Sequence, residues 1–419
     1  MNASPEVVIT GLGVVSPIGI GIAAFGEALR AGRSAVEPLS PYAELGMEPH
    51  IAARVHDFDP EKYVHRKTLK VMSREIQSAY AATDLALKDA GLAKGAVDPD
   101  RIGIVLGSEM LYGKIDELAD AFRHCTADNQ FHFEQWGKVA MHDIFPLWML
   151  KYLPNMAACH VGIAHDARGP NNTITQGENS SLMAIMEAAS YIQRGLADVA
   201  IAGGTGSRLS EAAVPFRGVT DVSTSTADPQ TVSRPFDAQR SGMVIGEGAG
   251  SLVLETREHA QKRGAKILAR IAGFASRTEA GHREKMTGLS IANAIRGALQ
   301  MAQLEPAEIG HVNANGMSTL RDDRIEAQAI RQTLDDVPVT ALKSYFGYVG
   351  AGCGAIELAA SVLALNSGEI PRTLNYEAPD PDCNIRVVHG ESLKGRAPVA
   401  IKLNHTPIGQ AVAVVIAAA

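Results

Sequence analysis

Short apolar runs closed by glycine alternate along this chain with longer stretches whose apolar residues recur at helical spacing. VVITGLGVV, RIGIVLGS, NNTITQG, DVAIAGGTG and GSLVLE read as strands of a first part. ILARIAGFA, GHVNANG, VPVTALK, APVAIKLN and QAVAVVIAA read as strands of a second. Between them, SREIQSAYAATDLALKDAG and LSIANAIRGALQMAQL read as amphipathic helices. Strand–helix alternation of this kind builds α/β layers. The two parts are alike: each has apolar strands, a long surface helix ending near KDAGL or QMAQLEP, and then a short strand. We read an internal duplication, 1–255 and 256–419, with its boundary between Thr256 and Lys266. No low-complexity linker separates the halves, so they should share a core. From Tyr112 to Pro154, aromatics and mixed charges break the rhythm, which predicts an inserted cap or interface over 112–154.

One stretch carries a chemical question. GPNNTITQGENSSLMAI, Gly169 to Ile185, reads as a strand, a tight turn at Gly177 and the first turn of a helix. That is the geometry on which enzymes expose a nucleophile, with the helix N-terminus placed to stabilise negative charge. The residue at this elbow is Glu178, a carboxylate where a Cys or Ser would be expected.

Composition narrows the class. The 419 residues are 46% hydrophobic and 20% charged, as in globular proteins, and the net charge of -7 argues against a nucleic-acid binder. The N-terminus lacks a basic stretch followed by an apolar run, so no secretory signal is expected. The apolar C-terminus, GQAVAVVIAAA, is short of the about 20 residues that span a bilayer and reads as a last buried strand. Cys125, Cys159, Cys353 and Cys383 are scattered without a Cys-x-x-Cys pair. We therefore expect no metal site, no disulfide framework and no membrane partner, and a cytoplasmic location.

Several segments carry a family resemblance. VVITGLGVVSPIGIG, PNMAACHVGIAHDARGP, SRPFDAQRSGMVIGEGAGSLVLE, HVNANGMSTLRDDRIEAQAI and LKSYFGYVGAGCGAIE resemble β-ketoacyl-acyl carrier protein synthases, from about Val7 to Ile416. The resemblance implies a thiolase-like α/β fold: duplicated halves in a five-layer αβαβα sandwich, helices enclosing two mixed sheets. In active members it implies an elbow Cys that holds the acyl chain and two His residues that assist decarboxylation and stabilise the oxyanion.

This chain departs from that set. The Cys aligns with Glu178, the first His with Asn315 and the second with Tyr348, while Lys343 is kept. Thr406, Pro407 and Ile408 stand where the resemblance implies a flexible gate. Glu178 is expected to cap the helix and pair with Lys343 across a vestigial site. His405, in the same turn, is the one histidine near enough to be a replacement base. Cys353 opens a helix in GAGCGA, at a position that the resemblance gives to a small packing residue.

What remains is a resemblance to the chain length factor, the non-catalytic partner of an active ketosynthase in type II polyketide or polyene assembly. In that subfamily Gln is the commoner elbow replacement, so Glu178 departs from it too. The resemblance implies a heterodimer whose contact strand is Asn172, Thr173, Ile174, Thr175 and Gln176. It implies a tunnel gate from Met110, Leu111 and Tyr112 with Leu147, Trp148 and Met149, Trp148 foremost. Arg66, Lys67, Lys70 and Arg74 would meet the acidic helix of acyl carrier protein, which brings the phosphopantetheine; no other cofactor is implied. The alternative is a stand-alone thiolase-fold decarboxylase or acyl transferase using Glu178 with Tyr348 or His405.

Overall fold

A computed structural model describes residues 5–39, 44, 48–109, 112–210, 212, 221–281, 283–395 and 398–419. The principal strands are β1 (Val7–Ser16), β2 (Ile102–Gly107), β3 (Asn171–Ile174), β4 (Val199–Ser207), β5 (Ile245–Thr256) and β6 (Ala269–Thr278). They continue with β7 (His311–Asn313), β8 (Pro338–Thr340), β9 (Arg386–Val387), β10 (Val399–His405) and β11 (Gln410–Ala417). The hydrogen-bonded order is β9-β8-β7-β10-β11-β6-β1-β5-β4-β2-β3.

The duplication is written into this order. In the first half β1 runs antiparallel to β5 and β5 antiparallel to β4, with β2 and then β3 added in parallel. In the second half β6, β11, β10, β7 and β8 repeat those relations in the same sequence. Even an irregularity repeats: register shifts between Ile9 and Gly11 in β1, and between Ile271 and Gly273 in β6. Each shift is followed by a glycine pressed against a helix. A Cβ on Gly11 would lie 2.3 Å from the Ala86 carbonyl oxygen, and one on Gly273 2.4 Å from that of Ala298. Bare backbone at these two points lets a helix settle on the sheet.

Those helices form the outer layers. α1 (Arg74–Asp89) lies on β1 and β5, with α2 (Met156–His165) beside it. Ser73 starts α1 by accepting a hydrogen bond from the Ile76 amide at 3.4 Å. Between the half-sheets lie α3 (Ser180–Gln193) and, last in the chain, Cys353–Ser367. The opposite outer layer is α4 (Leu289–Ala302) with α5 (Leu320–Leu334), the latter capped by Thr319. The central helix α6 (Cys353–Ser367) is buried on almost every side. Gly350–Ser367 is apolar enough by composition to cross a membrane, but 78% of it is buried inside this chain. Burial between two sheets accounts for that apolarity.

The five layers match the expected thiolase-like architecture, with one difference. The two expected sheets form one continuous ladder, because Val7, Val8 and Ile9 pair antiparallel with Ile271, Arg270 and Ala269. The halves therefore share backbone hydrogen bonds as well as a core. Val7 and Ile271 belong to one apolar cluster with residues of both central helices.

β7 places His311 in the second half's core, fully buried and with neither ring nitrogen hydrogen-bonded among the described residues. Burial pushes its pKa from the ordinary 6.5 down to about 4. Between those values the unfolded chain binds the proton and the native state does not, so stability rises with pH across the window. The contribution is whole above pH 6.5 and is lost towards pH 4, about 3 kcal/mol in all. Urea titrations from pH 4 to 7 should show wild type losing that much more stability on acidification than His311→Leu.

Candidate functional site

The elbow forms as its residues dictate. β3 leads into Gly177, whose φ of 52° lies in the left-handed region, and a single 3-10 turn, Gly177–Asn179, runs into α3. Ser180 locks the turn: its hydroxyl donates to the Gly177 carbonyl at 2.7 Å and accepts from the Gln176 amide at 2.8 Å. Glu178 at the apex is buried, and its own carbonyl accepts from Asn404 of β10 at 3.0 Å.

Glu178 does not pair with Lys343. Its Oε1 accepts a hydrogen bond from the Tyr348 hydroxyl. That hydroxyl in turn accepts from Arg208, whose guanidinium lies 4.6 Å from the centre of the Tyr348 ring. Arg208 also meets Glu109 at 3.0 Å, with side-chain exposures of 11% and 5%. The order Glu178–Tyr348–Arg208–Glu109 is thus a continuous buried chain in which one guanidinium meets Glu109 directly and Glu178 through a phenol. Burial holds the Tyr348 phenol well above its ordinary pKa, with Arg208 opposing. Burial also works against the charge of Arg208, but Glu109, Tyr348 and Glu178 outweigh it and raise the pKa further.

Sequence reasoning missed Arg208 and Glu109. Arg208 directly follows β4, and strand alternation separates it from its neighbours. Ser207 and Leu209 line a cavity of about 700 Å³ on the other side, together with Arg74, Glu75, Tyr112 and Tyr152. Arg208 faces the elbow instead. Glu109 follows β2 and lies where a Cβ on Gly350 would come within 2.1 Å of its Oε1. The signal available was a charged residue within two positions of the end of each of two buried strands, LGSE and GTGSR.

Lys343 is occupied elsewhere. Its three donors go to the Asn315 carbonyl at 2.6 Å, Asn315 Oδ1 at 2.9 Å and Glu357 Oε1 at 2.8 Å. Lys402 of β10 holds the other Glu357 oxygen at 2.7 Å. Burial, with Lys343 nearby, pushes Lys402 down to about 8 despite the Glu357 carboxylate. For Lys343 burial opposes the charge, and Glu357 more than restores it. Glu357 was not singled out from the sequence, because a lone acid inside an apolar helix pattern reads as an exception to it.

His405 is buried at the end of β10, with its Nε2 3.6 Å from Glu326 Oε2. That spacing is an ion-pair distance, too long for a hydrogen bond. Glu326 spends its two oxygens on the Asn315 and Gly316 amides, at 2.7 and 2.8 Å. Burial disfavours charging His405, yet Glu326 outweighs it and raises the pKa. An imidazole whose Nε2 faces a carboxylate already bound to two amides is poorly placed to act as a general base. Cys353 offers no nucleophile: it is fully buried, its Sγ accepts from the Val349 amide at 3.3 Å, and burial pushes the thiol up to about 12. Among the described residues no group of three or more His, Cys, Asp or Glu is placed to hold a metal ion.

The remaining expected residues are spread over one face. β3 ends at Ile174, two residues short of the expected strand, because Thr175 and Gln176 already lead into the elbow turn. Among the described residues it is the last strand of the sheet, bonded to β2 on one side and to no strand on the other. Trp148 packs against Tyr152 in a tilted arrangement with ring centres 5.3 Å apart, while Leu147 and Met149 are 49% and 62% exposed. Tyr112 lines the 700 Å³ cavity; Met110 and Leu111 lie outside the described residues. Arg66, Lys67 and Lys70 are exposed. Arg74 is fixed: it grips Glu247 at 2.7 and 2.8 Å and donates to the Val55 carbonyl at 2.7 Å.

The Lys343–Glu357–Lys402 cluster makes an unequal forecast. Glu357→Gln leaves two buried cations without a counter-charge and should cost about 3–5 kcal/mol. Lys402→Met leaves a matched pair and should cost less than half as much. Thermal and chemical denaturation of the two variants measure the difference.

Comparison with known proteins places this arrangement. The family model described as Beta-ketoacyl synthase, N-terminal domain, matches residues 4–260, and that for the C-terminal domain matches residues 268–377. The chain is 37% identical over 397 residues to a protein named Putative polyketide beta-ketoacyl synthase 1 of Streptomyces halstedii, covering 93% of this chain and 92% of that one. It is 34% identical to the tetracenomycin polyketide synthase ketoacyl synthase alpha subunit of Streptomyces glaucescens, over 96% of this chain and 94% of that one. Among solved structures, a β-ketoacyl synthase from Burkholderia phymatum superposes with a TM-score of 0.89 at 30% identity, covering 99% of this chain and 100% of that one. The ishigamide ketosynthase/chain length factor superposes with a TM-score of 0.87 at 29% identity, with all of both chains covered. With both family models matched in order, and with relatives of this identity over nearly its whole length, the chain belongs to the β-ketoacyl synthase family.

Proposed function

We propose that this chain is a non-catalytic ketosynthase-like subunit, a chain length factor, that pairs with an active ketosynthase in type II polyketide or polyene assembly. The observation that carries the reading is that the residues around the elbow are paired with one another. Where condensation requires a free thiolate and two imidazoles, Glu178, Tyr348, Arg208 and Glu109 bind one another, and Asn315 is bound to Lys343. A malonyl carboxylate brought to this apex would meet another carboxylate, at a cost of about 1–4 kcal/mol over a few ångström in an intermediate dielectric. Breaking the buried ion pair to make room would cost about 3–5 kcal/mol more.

The comparisons support the class of partner. One similar solved structure is named as a ketosynthase/chain length factor. Another, of 27% identity and TM-score 0.85, is named as a type II polyketide acyl carrier protein in complex with its ketosynthase bound to the hexaketide. On this reading the open edge of β3 is where the active ketosynthase joins, with Asn172, Thr173 and Ile174 in the contact. Trp148, flanked by Leu147 and Met149, stands at the end of the partner's tunnel. Lys67 and Lys70, with Arg66 in an exposed ion pair with Glu61 at 3.9 Å, are placed to meet an acidic carrier protein, which brings the phosphopantetheine; Arg74 is held by Glu247.

The test is co-expression with an active ketosynthase of the same pathway, native mass spectrometry and an assay with malonyl carrier protein. We expect a 1:1 complex, no turnover by this chain alone, and longer products with Trp148→Ala. Turnover by the isolated chain that Glu178→Gln abolishes would overturn the reading.

A further inference from the structure

The chain from Glu178 to Glu109 does more than fill space left by lost catalytic residues. Neither Arg208 nor Glu109 stands at one of the lost catalytic positions, yet both are built into the site with evident accommodation. Gly350, at a φ of 70°, would put a Cβ 2.1 Å from Glu109 Oε1 and 3.1 Å from Arg208 Nε. Gly206, the preceding residue on the same face of β4, would put one 3.2 Å from Glu109 Oε1. Two glycines thus make the room that the ion pair occupies. Each of the four members of the chain is anchored in a different element: Glu109 after β2, Arg208 after β4, Tyr348 in the turn before α6 and Glu178 at the head of α3. The Arg208 amide donates to the Gly246 carbonyl at 3.0 Å, and the Tyr348 carbonyl accepts from the Gly246 amide at 2.8 Å. The two residues are therefore pinned to β5 from both sides.

We propose that Arg208 is a clasp that keeps acyl groups out of this subunit's own site, confining the growing chain to the partner's half of the complex. This deepens the chain length reading and rests on it. An acyl chain seeking the space beside the elbow would have to part Arg208 from Glu109 and from Tyr348. It offers only methylene groups and a thioester in return, which cannot satisfy a guanidinium and two buried acidic side chains. Exclusion here is a specificity device: a heterodimer with two open acyl sites would divide its intermediates between a productive site and a dead one.

The experiment uses the full-length chain, alone and in the 1:1 complex, with a non-hydrolysable octanoyl-pantetheine amide as probe. Arg208→Ala/Glu109→Ala removes the clasp and keeps the charge balanced. Tyr348→Ala opens the other end and leaves the Glu109–Arg208 pair intact. We expect the double variant to bind the probe at least tenfold more tightly than wild type, by calorimetry and ligand-observed NMR, and Tyr348→Ala to gain several-fold. Folding of either variant suffices for the comparison. No gain in a folded variant overturns the proposal, and so does low-micromolar binding by the wild-type chain itself. The two readings separate cleanly. Altered product lengths with Trp148→Ala but no gain in probe binding leave the chain length role and remove the clasp. Probe binding on opening, with product lengths indifferent to Trp148, does the reverse.

Discussion

A charge taken out of water has to be answered inside the protein, and the interior of this chain is organised by that requirement. Three separate answers meet around the elbow. Arg208 is shared by Glu109 and, through Tyr348, by Glu178. Glu357 is shared by Lys343 and Lys402. Glu326 is shared by two backbone amides and His405. Each group draws its members from different layers, so the charges tie the central helices to both half-sheets. At the aligned positions, Glu178 is bound to Tyr348 and Asn315 to Lys343.

The same requirement explains where sequence reading succeeded and failed. Strand runs, glycine stops and the likeness of the two halves were legible, because buried strands and amphipathic helices leave periodic apolar patterns. The repetition goes deeper than those patterns, down to the register shifts before Gly11 and Gly273. The continuity of the sheet was not legible, since it depends on three residue pairs between β1 and β6 that any apolar strand end could make. The length of β3 was overread, because NNTITQ alternates like a strand right up to the turn.

The site was legible at its aligned positions and opaque in its partnerships. Of the four aligned residues, Tyr348 binds Glu178 and Lys343 binds Asn315. Their pairing was misjudged because sequence shows that Lys343 has a charge without showing who has claimed it. Three donors already satisfied by Asn315 and Glu357 leave nothing for Glu178. Arg208 and Glu109 had no motif to betray them, and Arg74 looked like part of a basic run until Glu247 was seen to hold it.

The open edge of β3 has a meaning beyond geometry. An uncovered row of backbone donors and acceptors will accept any extended segment of suitable length. If a second polypeptide covers that edge, a cell that makes this one in surplus carries molecules whose outermost strand lacks its neighbour. The ratio in which two polypeptides are synthesised becomes, for a surface of this kind, as much a condition of solubility as the sequence itself.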